Sequence, residues 1–127
     1  MDIQTLENIN YKIIPSDKVR DYVIDVCEKE WDPEDFPQYG DDLYNSNWKL
    51  KKIEVDKITP NIELLNTPVF KKDVELRVKK QKELNRLKTP IPPLILRAKD
   101  LFIFDGYARY LFFKEIGIKT CFAYLGH

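Results

Sequence analysis

The sequence predicts a compact α/β domain with a mixed sheet and an N-terminal helical extension. Short apolar runs typical of buried strands occur at 94–96 and 101–104, and residues 118–124 are rich enough in β-branched and aromatic residues for another strand. Segments 69–88 and 106–116 lie between or beside these runs and carry apolar residues at helical spacing. Hydrophobic residues make up 43% of the chain and aromatic residues 13%, which indicates a folded globule rather than a disordered segment.

Composition excludes several classes of protein. At 127 residues the chain fits one domain, and none of its apolar runs approaches the roughly 18 residues that a membrane span needs. The N-terminus lacks the basic and apolar regions of a signal peptide, so we expect a cytoplasmic protein without a membrane partner. Cys27 and Cys121 have no metal-binding spacing, and we expect them to be buried thiols. The single histidine, His127, argues against a histidine-based metal site.

Charge divides the chain into two parts. Residues 1–48 contain 12 acidic and 4 basic residues, whereas residues 49–127 contain 17 basic and 9 acidic residues. We therefore predict an acidic N-terminal helix and loop extension over 1–48 and a basic core domain over 49–127, together forming one compact unit. The acidic extension would lie against the core or guard it.

The extension begins with a short strand or irregular passage over 3–14, ending at Pro15. Ser16 is a typical helix N-cap, and the spacing of Val19, Val23 and Cys27 predicts an amphipathic helix over 16–30.

Residues 31–44 predict a loop that is rich in acidic, aromatic, proline and glycine residues. We expect its aromatic side chains to pin it onto the domain. The loop contains four carboxylates, at Glu34, Asp35, Asp41 and Asp42. They either face solvent, or one of them serves as a Mg²⁺ ligand or a catalytic base opposite the turn at 105–109.

The core starts with a predicted strand over 48–58, followed by a connection between Pro60 and Pro68. Residues 69–88 form a helix without glycine or proline, and its expected core face contains Phe70, Val74, Val78 and Leu84 or Leu87. This helix carries eight basic and three acidic residues. They form either a solubilising face or a surface that contacts phosphate, in a nucleotide or in a nucleic-acid backbone.

The chain must be extended from Thr89 to Pro93, because Thr89 precedes a proline. We then predict a hairpin, with strands over 94–96 and 101–104 and a turn over 98–100. This hairpin places Asp105 at the end of the sheet. The helix over 106–116 follows, and Gly117 is positioned to end it before the last strand.

The turn Asp105–Arg109 carries the candidate chemistry. A helix N-terminus presents unpaired backbone N–H groups and a partial positive charge, so it favours an anion. Gly106 lets a phosphate approach the backbone, and Arg109 adds a forked guanidinium one turn later. Asp105 is suited to capping the helix, holding Mg²⁺ or accepting a proton. A capped helix with a solvated Arg109 remains the alternative interpretation.

The run Phe104–Tyr110, Phe-Asp-Gly-Tyr-Ala-Arg-Tyr, resembles the signature of the ParB/sulfiredoxin superfamily. The segments 53–60, 89–96 and 114–120 follow the same order of elements, so the resemblance covers roughly 52–125. It implies a ParB/sulfiredoxin-like fold, similar to the ParB N-terminal domain. It also implies a nucleotide or phosphate site formed by Gly106, Tyr107, Ala108, Arg109, Arg77 and Thr89.

Departures from the family narrow this expectation. Tyr107 stands where sulfiredoxin has its reactive cysteine, so the reductase chemistry lacks its nucleophile. Only Arg109 remains of the two-arginine box of ParB proteins. The Asp-Gly-x-x-Arg pattern is similar to that of ADP-dependent free-serine kinases of this superfamily.

The resulting hypothesis is a domain that binds a nucleotide or another phosphorylated ligand. Phosphoryl transfer or nucleotide hydrolysis with Mg²⁺ and a catalytic Asp105 would suit such a site, although the sequence leaves open whether the protein is an enzyme. The nucleotide and any metal ligands are not identified. The alternative is a DNA-associated, partition-like module without its own helix-turn-helix, with DNA or a protein as partner.

Overall fold

The computed structural model of the chain describes residues 2–127, which form six strands and five α-helices. The strands are β1 (Asp2–Leu6), β2 (Ile9–Ile13), β3 (Trp48–Glu54), β4 (Leu94–Arg97), β5 (Phe102–Asp105) and β6 (Thr120–Gly126). The helices are α1 (Val19–Glu30), α2 (Asp35–Asn45), α3 (Ile62–Leu65), α4 (Pro68–Arg86) and α5 (Tyr107–Ile116). The predicted α/β class is confirmed.

Four strands form a mixed sheet in the order β3-β6-β4-β5. β6 is antiparallel to β3 and parallel to β4, while β4 and β5 form the predicted antiparallel hairpin. The free side of β5 is covered in part by Thr59, whose N–H donates to the Leu101 carbonyl and whose carbonyl accepts from Ile103. β1 and β2 form a separate two-stranded hairpin.

Side chains alternate between the two faces of the sheet, and β4, β5 and β6 bury side chains on both faces, whereas β3 is largely exposed apart from Trp48. Leu94 and Leu96 belong to one core cluster, with β2 and α5, whereas Ile95 between them belongs to a second cluster. That second cluster consists of the buried faces of α1 and α2 packed on Ile95, Phe104 and Tyr124. Two helical layers therefore enclose the sheet, and the acidic extension supplies one of them.

The β1–β2 hairpin turns at Glu7 and Asn8, which both adopt positive φ angles of 49° and 66°. Such angles suit a tight two-residue hairpin turn. The Glu7 carboxylate accepts hydrogen bonds from the backbone N–H groups of Lys119 and Thr120. These bonds hold the turn against the start of β6.

The predicted loop over 31–44 is wrong for most of its length, because α2 occupies Asp35–Asn45. Phe36, Tyr39, Gly40 and Leu43 repeat at helical spacing, and Leu43 is fully buried. Pro37 lies in the first turn, where its missing N–H costs no intrahelical bond. Burial of this face therefore outweighs the proline and glycine residues that suggested a loop. The predicted pinning by aromatic residues is confirmed by Trp31, Phe36 and Tyr39, which pack onto the second cluster.

Other boundaries also differ from the prediction, and the predicted strand over 48–58 ends at Glu54, where a 3-10 turn over Val55–Lys57 follows. The predicted helix over 16–30 begins as a 3-10 turn over Ser16–Lys18, and Ser16 makes no capping bond there. Of the two leucines predicted for the core face of α4, Leu84 packs against the core, whereas Leu87 lies beyond the end of the helix and is 57% exposed. A short helix, α3, occupies part of the predicted connection between Pro60 and Pro68.

The predicted burial of both cysteines is confirmed, since Cys27 and Cys121 are buried free thiols. Burial raises the pKa of the Cys121 thiol to about 12. Neither thiol is thus a ready nucleophile. Among residues 2–127, no helix combines the length and the hydropathy that crossing a bilayer requires.

Candidate functional site

The turn between β5 and α5 is shaped by its glycine. Gly106 adopts a φ of 117° as the residue before α5. A Cβ at this position would lie 2.3 Å from Cδ2 of Leu94, so only glycine fits without displacement of the core. The pairing of β4 with β5 also shifts register beside this turn, between Ile95 and Leu96. Such bulges re-aim the residues that follow a strand.

Arg109 folds back over this turn and does not extend into bulk solvent. Its Nη2 donates to Oδ2 of Asp105 at 3.0 Å, and it lies 3.0 Å from where a Gly106 Cβ would be. The side chains of Arg109 and Asp105 are 13% and 22% exposed. The Arg109 Nε is buried and has no hydrogen-bond partner within residues 2–127. The guanidinium therefore retains an unused donor, and Asp105 is its present counter-ion.

A cavity of about 620 Å³ lies in front of this turn. All five residues from Asp105 to Arg109 line it, together with Arg77 of α4. Cavities of this size are typical of sites for small molecules and cofactors. The alternative interpretation of Arg109 as a solvated surface charge does not describe this arrangement.

The acidic extension forms one wall of the cavity. Trp31 follows α1 directly, and its Nε1 donates to the Phe104 carbonyl at 2.9 Å. Its ring meets the Phe104 ring edge-on at 4.8 Å between centroids. Glu30 reaches across to α4, where its Oε2 lies 3.8 Å from Nη1 of Arg77. The end of α1 is therefore fixed beside the candidate turn.

The opposite wall comes from α3, α4 and Tyr107. The Tyr107 hydroxyl accepts a hydrogen bond from the Asn61 backbone N–H at 3.0 Å, and its ring packs edge-on against Phe70. Burial raises the pKa of the Tyr107 hydroxyl to about 12, so this group stays protonated at physiological pH. Tyr107 lines the cavity, and its hydroxyl, which accepts from Asn61, keeps its own proton.

Charge in the cavity is mixed and unevenly placed. Six carboxylates and three cationic side chains line it. The carboxylates are Glu30, Asp32, Glu34, Asp35, Asp73 and Asp105, and the cations are Arg77, Lys80 and Arg109. Burial raises the pKa of the Asp35 carboxyl above its usual range. The cations are concentrated on α4 and α5, whereas four of the carboxylates lie at the end of α1 and the start of α2.

The structure brings most of the predicted site residues together. Gly106, Tyr107, Ala108, Arg109 and Arg77 share the cavity with Asp105. Thr89 does not line it: it is exposed beyond the end of α4, and its N–H donates to the Leu84 carbonyl. Arg77 is also engaged, since its Nε lies 3.0 Å from Oδ2 of Asp73.

The acidic residues of the extension divide between two places. Glu34 and Asp35 line the cavity, opposite the turn. Asp42 instead bonds to Arg97 at 3.0 Å on another part of the surface. Asp41 is exposed and lies outside the cavity. Across residues 2–127 no three acidic, cysteine or histidine side chains are arranged so that they could hold a metal ion.

Several cavity residues had no signal of their own in the sequence. Asn61, Gln81 and Leu64 become neighbours of the turn only through the packing of α3 and α4 on α5. Trp31 could be predicted as an anchor but not as a cavity wall. Its position depends on the hydrogen bond to Phe104, 73 residues later in the chain.

Comparison with known proteins gives a likeness of fold. No protein-family model matches the chain, and no curated protein does. The chain is similar to the structure of the C2221 form of a Pnob8-like ParB-N domain, with 22% identity over 62% of this chain and 29% of that chain, and a TM-score of 0.48. It is also similar to the pNOB8-like ParB N-domain, with 22% identity over 62% of this chain and 27% of that chain, and a TM-score of 0.45. The chain thus matches less than a third of the length of each. Both are ParB N-domain structures, and neither similarity identifies a ligand or a reaction.

Proposed function

We propose that this domain binds a small phosphorylated ligand, such as a nucleotide, with a phosphate seated at the N-terminus of α5. The observation that carries the proposal is the position of Arg109, which lines the cavity, is folded over Gly106 and has an Nε that is unpaired within residues 2–127. The first N–H groups of a helix have no intrahelical acceptor and attract anions. The turn and the guanidinium thus offer donors to the same anion.

An incoming phosphate would compete with Asp105 for the guanidinium. Arginine forms bidentate bonds to phosphate as readily as to carboxylate, so exchange of one partner for the other keeps Arg109 neutralised. The aromatic walls formed by Trp31, Tyr39 and Phe70 would contact the non-phosphate part of the ligand. A nucleotide combines both kinds of surface.

Phosphoryl transfer is a possible extension of this binding function. Asp105, once released from Arg109, would lie beside the bound phosphate as a base or as a ligand of Mg²⁺. The described side chains form no metal cage of their own, so Mg²⁺ fits here only as an ion that arrives on the phosphates and takes one or two carboxylates. Such an ion would neutralise phosphate charge during transfer.

A thermal-shift panel tests the binding proposal. ATP, ADP, CTP and S-adenosylmethionine are each added with and without Mg²⁺, to wild type and to Arg109→Ala. A ligand present at 100 times its Kd stabilises the folded state by about 2.7 kcal/mol, which raises the melting temperature by several degrees. We expect stabilisation by at least one phosphorylated compound and its loss in Arg109→Ala. Equal shifts in both proteins would contradict the proposal.

A second candidate function is contact with DNA through α4. Among residues 2–127, the exposed Lys71, Lys72, Lys79 and Lys88 of α4 and the residues after it form no ion pair. Free cations on one exposed helix favour a nucleic-acid backbone. This candidate predicts binding to duplex DNA that weakens steeply with salt and depends on these lysines, whereas Arg109→Ala leaves it unchanged.

A further inference from the structure

The cavity contains a carboxylate-rich segment that faces its own anion-binding turn. This segment, the acidic rim, consists of residues Glu30–Asp35 and carries four carboxylates, all of which line the cavity. Their charge has the same sign as that of the ligand proposed above. Like charges in one partly desolvated cavity repel each other over several ångströms.

The acidic rim is held in place by specific contacts. The Trp31 indole donates to the Phe104 carbonyl at 2.9 Å, and the Asp32 N–H donates to the Asp35 carboxylate at 3.2 Å. The rim therefore has a defined position beside the turn.

One carboxylate of the rim already engages a cation of the opposite wall. Glu30 lies 3.8 Å from the Arg77 guanidinium, although Arg77 has a closer partner in Asp73. The Glu30–Arg77 pair joins the end of α1 to α4 across the cavity. A phosphate that binds Arg77 must compete with Glu30 as well as with Asp73, just as it must compete with Asp105 for Arg109.

We propose that the acidic rim is a built-in electrostatic competitor that restrains anion binding in this cavity, with Glu30 occupying Arg77 in the free protein. The proposal rests on the proposed function and adds its regulation. Removal of the rim charge, by substitution or by a cation bound there, would raise the affinity for anions. The extension would thereby set the affinity of the core site.

The test uses the 127-residue chain and two metal-free probes, inorganic pyrophosphate and ADP, with EDTA present. Binding is followed by intrinsic tryptophan fluorescence, to which both tryptophans contribute: Trp31 lies in the cavity wall, whereas Trp48 is buried and does not line the cavity. The rim variant is Glu30→Gln/Asp32→Asn/Glu34→Gln. Asp35 is kept because it accepts the Asp32 N–H.

The matched control removes three charges from the same extension but away from the cavity. Asp17→Asn/Asp21→Asn/Asp41→Asn changes exposed residues that do not line the cavity. Glu30→Gln alone serves as a milder variant should the triple variant fold poorly. Melting temperatures establish that each protein is folded.

We expect the rim variant to bind pyrophosphate and ADP about tenfold more tightly than wild type at 50 mM salt, and Glu30→Gln about two- to threefold more tightly. The control should bind like wild type. At 500 mM salt the screening length falls to a few ångströms, so the advantage of the rim variant should largely disappear.

Three results would overturn the proposal, and they differ in whether the binding function is refuted as well. If wild type binds a probe through Arg109 and the rim variant binds no more tightly, the competitor role fails while the binding site stands. If neither wild type nor the rim variant binds pyrophosphate or ADP at 10 mM, the binding function fails as well. An equal gain in the charge control would also refute a local effect.

Discussion

At the scale of single residues, Gly106 and Arg109 define the candidate site. Gly106 combines a positive φ with a close approach to Leu94, and Arg109 uses the space that a side chain would have filled. The Asp-Gly-x-x-Arg motif could be recognised in the sequence, and so could the helix that follows it. The Asp105–Arg109 ion pair could not, because sequence spacing does not distinguish a guanidinium turned toward solvent from one folded back.

Gly106→Ala should destabilise the fold more than Gly117→Ala. Both glycines have positive φ, 117° and 79°, but a Cβ at Gly117 meets no atom within 4 Å. We expect Gly117→Ala to cost about 1 kcal/mol for its backbone conformation, and Gly106→Ala about 3 kcal/mol because it adds a clash with Leu94. Urea unfolding of the two variants measures the difference. Equal costs would show that the core beside the turn is loosely packed.

At the scale of secondary structure, Arg97 ties α2 to the β4–β5 hairpin. Its guanidinium bonds to Asp42 of α2 and to both carboxylate oxygens of Asp100, and its side chain is 14% exposed. It also lies 5.1 Å from the centroid of the Phe102 ring. These contacts explain why α2 is a docked helix, since the isolated segment contains proline, glycine and few strong helix formers.

The Arg97–Asp100 pair predicts a defined acid sensitivity. The hydrogen bond from Arg97 holds the pKa of the Asp100 carboxyl below its usual range. Its stabilising contribution is therefore complete above the unfolded-state pKa of about 4 and is lost as pH falls through the lower folded-state pKa. Asp100→Asn should cost about 0.5–1 kcal/mol at pH 6, because solvent screens this partly exposed pair, and less at pH 3, below the unfolded-state pKa. Urea midpoints of both proteins at the two pH values give this comparison. A constant difference would mean that the lost interaction is not ionic.

At the scale of the whole molecule, the acidic extension and the basic core share one interior. The sequence distinguishes them by charge, and it predicts both the amphipathic face of α1 and the approximate positions of the last three strands along the chain. It does not show that α1 and α2 cover the sheet face formed by Ile95, Phe104 and Tyr124, because this contact joins residues far apart in the chain. The cavity depends on the same long-range packing, so its acidic wall could not be derived from local patterns.

Removal of residues 1–48 should prevent cooperative folding of the rest. Ile95 and Tyr124 are fully buried, and they pack against Val19, Val23 and Leu43 of the extension. A chain of residues 49–127 would expose this apolar face to water. We expect it to lose near-ultraviolet circular dichroism and to bind a hydrophobic dye. A cooperative thermal transition in the shortened chain would show instead that the core is an independent domain.

An NMR titration of the ¹⁵N-labelled 127-residue chain with inorganic pyrophosphate tests the central claim most directly, because it observes the amides of the turn itself. The chain contains four glycines, so Gly106 can be followed against Gly40, Gly117 and Gly126 as internal references. We predict saturable shifts of the Gly106, Tyr107 and Ala108 amides and of the Arg109 Nε–H, with the three reference glycines little changed. Shifts confined to the lysines of α4, or none at the turn up to 10 mM pyrophosphate, would contradict the claim.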